Sequence, residues 1–383
     1  LRSSPQLDTA TDIGAPPITA SRTSLPVLTT LRFFAAASVV AYHWDWHNLA
    51  KYPFVQGLTS AGPEAVLFFF VLSGFILTYV YLEPQSHNSL SVSTKEFWKA
   101  RFARIAPVYY VGLVISLPIL LYSVIVAHIA SGKDLILCAM TAPLFLQAWC
   151  PSIAGLWNPP GWTLSVECFF YLSFPYIWIV AKRLSVAVLF VGSYLFVVSD
   201  TVFGPHILHA AGYNDHIFLP ILHLPSFLFG ISLGVLYLRS AKISPGLMAA
   251  AFGVTAVTIV VGFAVRNTLA WWLFSEPVLI ALFGILIYSG GQAGRALSLL
   301  ANPVFSLFGE ASYAMYILHR PIVNYWNLAT KKLVGNAYST DLMTCCSFVV
   351  CFCFILTISV LSYSTFEKPM RRRLLGHSAH KAI

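Results

Sequence analysis

Arg32 and His43 stand eleven residues apart in an otherwise apolar stretch, LRFFAAASVVAYHW. On a helix, eleven steps of ~1.5 Å put them roughly 16 Å apart. That is about half the ~30 Å hydrocarbon core of a bilayer. A guanidinium grips phosphate or carboxylate through paired hydrogen bonds. An imidazole, with an ordinary pKa of ~6.5, exchanges protons near neutral pH. Ionisable groups inside a membrane span are costly to insert and usually mark function. Together the two could serve the ends of one extended ligand. Its anionic end would sit at one membrane face, and its reactive end would reach toward the middle or the far side.

Three further segments carry chemistry. In KEFWKARFARIAPVYY, Arg101 and Arg104 are three residues apart and share one face of a helix start. They read as a juxtamembrane patch that sets topology or touches anionic lipid, or as a phosphate clamp that Arg32 could join. In NPPGWTLSVECFFYLSFP, Glu167 lies about one and a half turns into a span and needs a partner. It reads as half of a structural ion pair, or as a group that recognises a substrate hydroxyl or supports a catalytic histidine. In GEASYAMYILHRPI, His319 and Arg320 lie toward one end of a span and Glu310 toward the other. His319 is either a packing residue or a group that orients His43 or binds an acceptor. The run FEKPMRRR reads as a basic anchor partly neutralised by Glu367. Asp45 and His47, close to His43, form an isolated H-x-D-x-H, too little for a metal site. No metal is expected. The chain has no G-x-S-x-G elbow, Gly-rich phosphate loop or H-E-x-x-H. Asn48 stands where the H-x-x-x-x-D signature would need its aspartate.

The elements that must position these residues are membrane helices. Of 383 residues, 58% are hydrophobic and only 10% charged, with a mean hydropathy of +0.75; soluble domains carry ~25% charged residues. The net charge of +9 is read as loop lysines and arginines of a membrane protein. It is not read as a nucleic-acid surface, because no basic patch is interleaved with aromatics. The seven cysteines include no C-x-x-C pair and are expected to behave as small hydrophobes. Residues 1–24, polar and rich in Pro, Ser and Thr, are expected to be a disordered cytoplasmic leader. Residues 374–383 are expected to be a cytoplasmic tail.

Apolar runs long enough to span fall at 25–44, 63–82, 103–128, 162–181, 186–203, 217–238, 246–265, 270–289, 302–325 and 343–365. The run 135–149 is shorter and holds Pro143. If it does not cross and the N-terminus is inside, sixteen lysines and arginines face the cytoplasm and five face outside. If it crosses, ten of the sixteen move out. The fold expected is therefore an all-α polytopic membrane protein with about ten transmembrane helices, a short re-entrant or interfacial helix at 135–149, and both termini cytoplasmic. Trp44, Trp46, Tyr52, Trp149, Trp157, Trp271, Trp272, Tyr325 and Trp326 would form an aromatic belt at the outer ends. Gly230 and Gly234, and Gly290 and Gly294, are small-x-x-x-small pairs expected at close helix contacts.

Taken together, LPVLTTLRFFAAASVVAYHW, FFFVLSGFILTYVY, RFARIAPVYY, GWTLSVECFFYLSFP, SYAMYILHRPI and FEKPMRRR resemble the acyltransferase-3 family of integral membrane O-acyltransferases, from about Leu25 to Arg373. In that family an R-x10-H pair on the first span is essential, here Arg32 and His43. An R-x-x-R pair precedes the third, here Arg101 and Arg104. The resemblance implies acyl-CoA as co-substrate, usually acetyl-CoA. It implies transfer to a hydroxyl, mostly of carbohydrates, in a protein of the plasma membrane. A cell-surface polysaccharide or glycolipid is the expected acceptor, with glycan-assembly proteins as possible partners. The stand-alone form, without an SGNH domain, is expected. Arg32, Arg101 and Arg104 would hold CoA phosphates. His43 would act as general base or carry the acyl group, with Glu167 and His319 orienting it or binding the acceptor. Tailoring of a macrolide or other small metabolite would use the same residues. A proton-coupled exporter using His43 and Glu167 is the rival outside enzymes, and no paired halves of the transporter kind are visible.

Overall fold

A computed structural model describes residues 24–82, 90–210, 218–267, 275–335 and 340–376. All but the last residue of the expected leader, Trp271, Trp272 and the tail beyond Gly376 lie outside the described residues.

The helices are α1 (Pro26–Tyr42), α2 (Pro53–Thr59), α3 (Gly62–Tyr81), α4 (Thr94–Ile125), α5 (Gly132–Thr141), α6 (Trp162–Ala181), α7 (Val186–Ala210), α8 (Leu224–Arg239), α9 (Pro245–Val265), α10 (Glu276–Ala293), α11 (Pro303–Val334), α12 (Asp341–Ser362) and α13 (Lys368–Leu375). A π turn, Tyr363–Glu367, joins the last two. Among the described residues the only β pairing is the isolated bridge Leu82–Leu90.

Over its described residues each expected span holds one long helix, so the protein is an all-α polytopic membrane protein; residues 217 and 270–274 of two expected spans lie outside the described residues. Eight stretches are long and apolar enough to cross by length and composition. The other two expected spans, on α1 and α11, fall outside that criterion. At 17 residues, α1 rises ~25 Å. At 32 residues, α11 is long enough, but it carries Glu310, Arg320, Lys331 and Lys332. Local chemistry sets the starts. Proline occupies the first turn of α1, α3, α8, α9, α10 and α11, where its missing N–H costs nothing. A Ser93–Glu96 capping box opens α4 nine residues before its apolar run, which places Arg101 and Arg104 on the helix itself.

The short element is α5. Ten residues rise only ~15 Å, half the hydrocarbon core. The chain then breaks into 3-10 turns, with Phe145 at φ 59°. Side chains hold the break: Tyr109 Oη donates to Ala142 O (2.8 Å) and Ser165 Oγ to Phe145 O (2.6 Å). The expectation of a non-crossing helix over 135–149 is therefore met, with the helix itself ending at Thr141. Helix directions agree. Tyr313 on α11 bonds Ile105 O on α4, and Tyr325 bonds Ile115 O, so both helices run the same way. A crossing by α5 would reverse α11 relative to α4.

Two prolines inside helices free carbonyls that the bundle re-pairs. Pro175 leaves Tyr171 O open, and Trp98 Nε1 donates to it at 3.0 Å. Pro321 leaves Ile317 O open, and Asn158 Nδ2 donates to it at 3.2 Å. Glycines set the close contacts. A Cβ on Gly230 would lie 2.1 Å from Val71 O, and one on Gly234 2.6 Å from Thr78 Cβ, so α8 lies directly against α3. The second glycine pair divides. Gly290 packs against Phe252 and Val27, whereas Gly294 ends α10 at φ +52°. At Gly309 a Cβ would lie 2.0 Å from Thr29 O. This glycine brings α11 against the start of α1, and the two helices then ascend side by side.

Candidate active site

His43 ends α1. Its N–H donates to Val39 O, and its φ of −88° leaves the side chain at the open C-terminus of the helix. His43 Nδ1 lies 3.0 Å from Val39 O and 3.1 Å from Nε2 of His319. His319, fully buried on α11, places its own Nδ1 2.8 Å from Tyr316 O. A carbonyl oxygen only accepts, so each Nδ1 must carry its hydrogen. His319 Nε2 is then an acceptor for His43 Nδ1–H. His43 Nε2 is left with a lone pair that no described residue engages. Arg320 Nη1 approaches His43 O at 3.4 Å, while its buried Nε has no partner among the described residues.

No carboxylate among the described residues hydrogen-bonds either ring. Asp45 serves a turn, accepting from the N–H of His47 at 3.1 Å. Among the described residues no three His, Cys, Asp or Glu side chains are grouped to hold a metal.

The arginines gather at the other end of the bundle, Arg32 on α1 and Arg101 and Arg104 on α4. Arg104 Nη1 donates to Glu367 Oε1 at 2.8 Å, with both side chains nearly buried. Its guanidinium also lies 5.9 Å from the ring centre of Tyr313. Arg101 Nη2 donates to Tyr81 Oη at 2.8 Å, and its guanidinium faces the rings of Tyr81 and Tyr171 at 5.1 and 6.0 Å. Arg101 Nε is buried with no partner among the described residues. Arg32, one turn and a half into α1, interacts electrostatically with Arg104, Glu310, Glu367 and Glu167. Tyr363 Oη donates to Glu310 at 3.4 Å.

The structure therefore brings His43 and His319 together at one end. It brings Arg32, Arg101, Arg104 and Glu167 together at the other. Glu167 makes no hydrogen bond to His43 among the described residues. Its electrostatic neighbours are the Tyr171 hydroxyl one turn on and Arg32, Arg104 and Arg101. Tyr81 and Tyr313 went unread in the sequence. Only Tyr171 left a signal, standing four residues after Glu167 on the same helix face.

Comparison with known proteins places the chain in a family. A family model described as an acyltransferase domain, that of the acyltransferase-3 family, matches residues 26–364. Acyltransferase MdmB of Streptomyces mycarofaciens is 29% identical, with 92% of each chain covered. Peptidoglycan O-acetyltransferase OatA of Listeria monocytogenes is 23% identical over 92% of this chain and 56% of its own. A putative O-acetyltransferase of Staphylococcus aureus is 22% identical over 91% of this chain and 57% of its own. No solved structure matches.

Proposed function

The chain belongs to the acyltransferase-3 family, and from that premise we propose that it moves an acyl group, acetyl in the simplest case, from acyl-CoA to a carbohydrate hydroxyl. One observation carries the reading. His43, with its free Nε2 lone pair, and Arg32 of the arginine cluster lie toward opposite ends of one helix, roughly 16 Å apart along it. A thioester whose phosphates rest on the arginines has a long flexible arm to cover that distance. The O-acetyltransferase names of the relatives support transfer to oxygen, and the peptidoglycan acceptor named for OatA supports a carbohydrate.

In this mechanism His43 Nε2 takes the proton of the acceptor hydroxyl as its oxygen attacks the thioester carbonyl carbon. The tetrahedral intermediate collapses, the C–S bond breaks, and the leaving sulfur takes the proton from His43. While His43 is cationic, its Nδ1–H still has two acceptors, Val39 O and neutral His319 Nε2. His319 thus fixes the tautomer and supports the charge without a carboxylate. Arginine- and lysine-rich loops lie at the arginine end, so that end is cytoplasmic by the positive-inside rule. The donor enters there, and the acceptor approaches from the histidine end, across a bacterial plasma membrane.

The test is purified protein in lipid nanodiscs with radiolabelled acetyl-CoA and a panel of polysaccharide and glycolipid acceptors. Alkali-labile label should appear on an acceptor with the wild type and not with His43→Ala. Equal labelling by both, or label on no hydroxyl acceptor from any acyl-CoA offered, would reject the reading.

A further inference from the structure

The basic run after α12 is not a uniform anchor, because its three arginines differ in burial. Arg372 and Arg373 are exposed, whereas Arg371 is half-buried and its Nε is buried with no partner among the described residues. The charges acting on Arg371 are Arg104 and Arg101, with Glu310 opposing them and Tyr81 beside it. The helix α13 packs against α4, so Arg371 adds its charge to the region of Arg101 and Arg104, and like charges held together repel one another unless an anion sits among them.

The cluster's own carboxylates do not suffice. Arg32, Arg101, Arg104 and Arg371 face Glu167, Glu310 and Glu367, which leaves one positive charge unmatched among the described residues. The pairing is also uneven. Arg104 is committed to Glu367, which the π turn at the end of α12 holds beside it; that carboxylate is 1% exposed. Arg101 has only a tyrosine hydroxyl, and no hydrogen bond to a described carboxylate is seen for Arg371. Within this cluster, the buried Nε–H groups without a partner among the described residues belong to these two side chains.

We propose that Arg101 and Arg371 together form the phosphate-binding site of the protein, with Arg104 and Glu367 as its internal support. The inference rests on the donor reading above and changes who does the gripping. Arg371 joins, and Arg104 acts as a structural partner of Glu367. The ligand chemistry is a phosphate or pyrophosphate group, carried by a CoA thioester or offered free.

Binding to the full-length protein in nanodiscs, measured by calorimetry with CoA and with inorganic pyrophosphate, tests it. Arg371→Ala and Arg101→Ala should each weaken CoA roughly tenfold to a hundredfold, the loss of one charge-assisted contact. Arg371→Lys should recover part, since it keeps charge without the fork. The double variant Arg372→Ala/Arg373→Ala should bind as wild type. Glu310→Gln, which can still accept from Tyr363, should bind both probes severalfold more tightly, a gain that misfolding does not produce. If wild type binds CoA and both Arg371→Ala and Glu310→Gln match it, Arg371 has no part in the site and the donor reading stands. If wild type binds pyrophosphate but not CoA, the anion site stands and the donor reading fails. If it binds neither probe, both fall.

Discussion

His43 and His319 differ in what each can lose. His43 presents the one lone pair the proposed chemistry needs, and it sits at a helix end, where few packing contacts depend on it. His43→Ala should lower acyl transfer by about 10²–10⁴-fold, the usual share of general acid–base catalysis, with CoA binding and expression near wild type. Transfer at the wild-type rate would end both the base and the acyl-carrier mechanisms. His319 acts through His43, as an acceptor for Nδ1–H. Val39 O remains as the second acceptor, so the loss should be partial. His319→Ala should lower kcat roughly tenfold to a hundredfold, one hydrogen bond to a developing charge, with the donor KM unchanged. His319→Gln, whose carbonyl oxygen can still accept, should recover part of it. If kcat is unmoved in the alanine variant, His319 is a packing residue.

At the scale of elements, the contact of α1 with α11 carries the pair. The two helices meet at Gly309 and Thr29 and, further along, at His319 and His43. Because they run in the same direction, a change at the first contact shifts the second. Gly309→Ala places a Cβ into the Thr29 carbonyl. It should cost about 1–3 kcal/mol as overpacking does, read as a lower midpoint of thermal unfolding in detergent. Transfer should fall further than stability alone accounts for, because the 3.1 Å contact between the rings widens. A variant as stable and as active as wild type would show that the helices do not need this approach. The prolines work in the same way. Asn158 and Trp98 re-pair the carbonyls that Pro321 and Pro175 release, and so tie the non-crossing segment and the start of α4 to the helices that carry His319 and Glu167.

For the whole molecule, the exposed prediction is which end faces the cytoplasm. Ser298 and Arg373 lie at the arginine end, and Leu333 lies at the histidine end, 82% exposed. In a background without the seven native cysteines, Leu333→Cys should react with a membrane-impermeant maleimide in intact cells. Ser298→Cys and Arg373→Cys should react only after the cells are opened. The reverse pattern would place the arginines outside and remove cytoplasmic acyl-CoA as the donor.

The sequence by itself determined the ten long apolar helices and the short α5 between two of them, though not α2 or α13. These come from apolar run length and the distribution of lysine and arginine, properties that a bilayer reads one segment at a time. It also singled out Arg32, His43, Arg101, Arg104, Glu167 and His319, because ionisable groups are costly in lipid and stand out against an apolar background. Which of them meet was decided only by the tertiary structure. His43 and His319 are 276 residues apart, and no spacing rule joins them. They meet because Gly309 lets two backbones approach and because α1 ends where its last carbonyls are open to a side chain. Glu167 could have served either end of the bundle; helix packing sets it among arginines. Arg371 was hidden inside a run of three like residues, and only burial separates it from its two exposed neighbours.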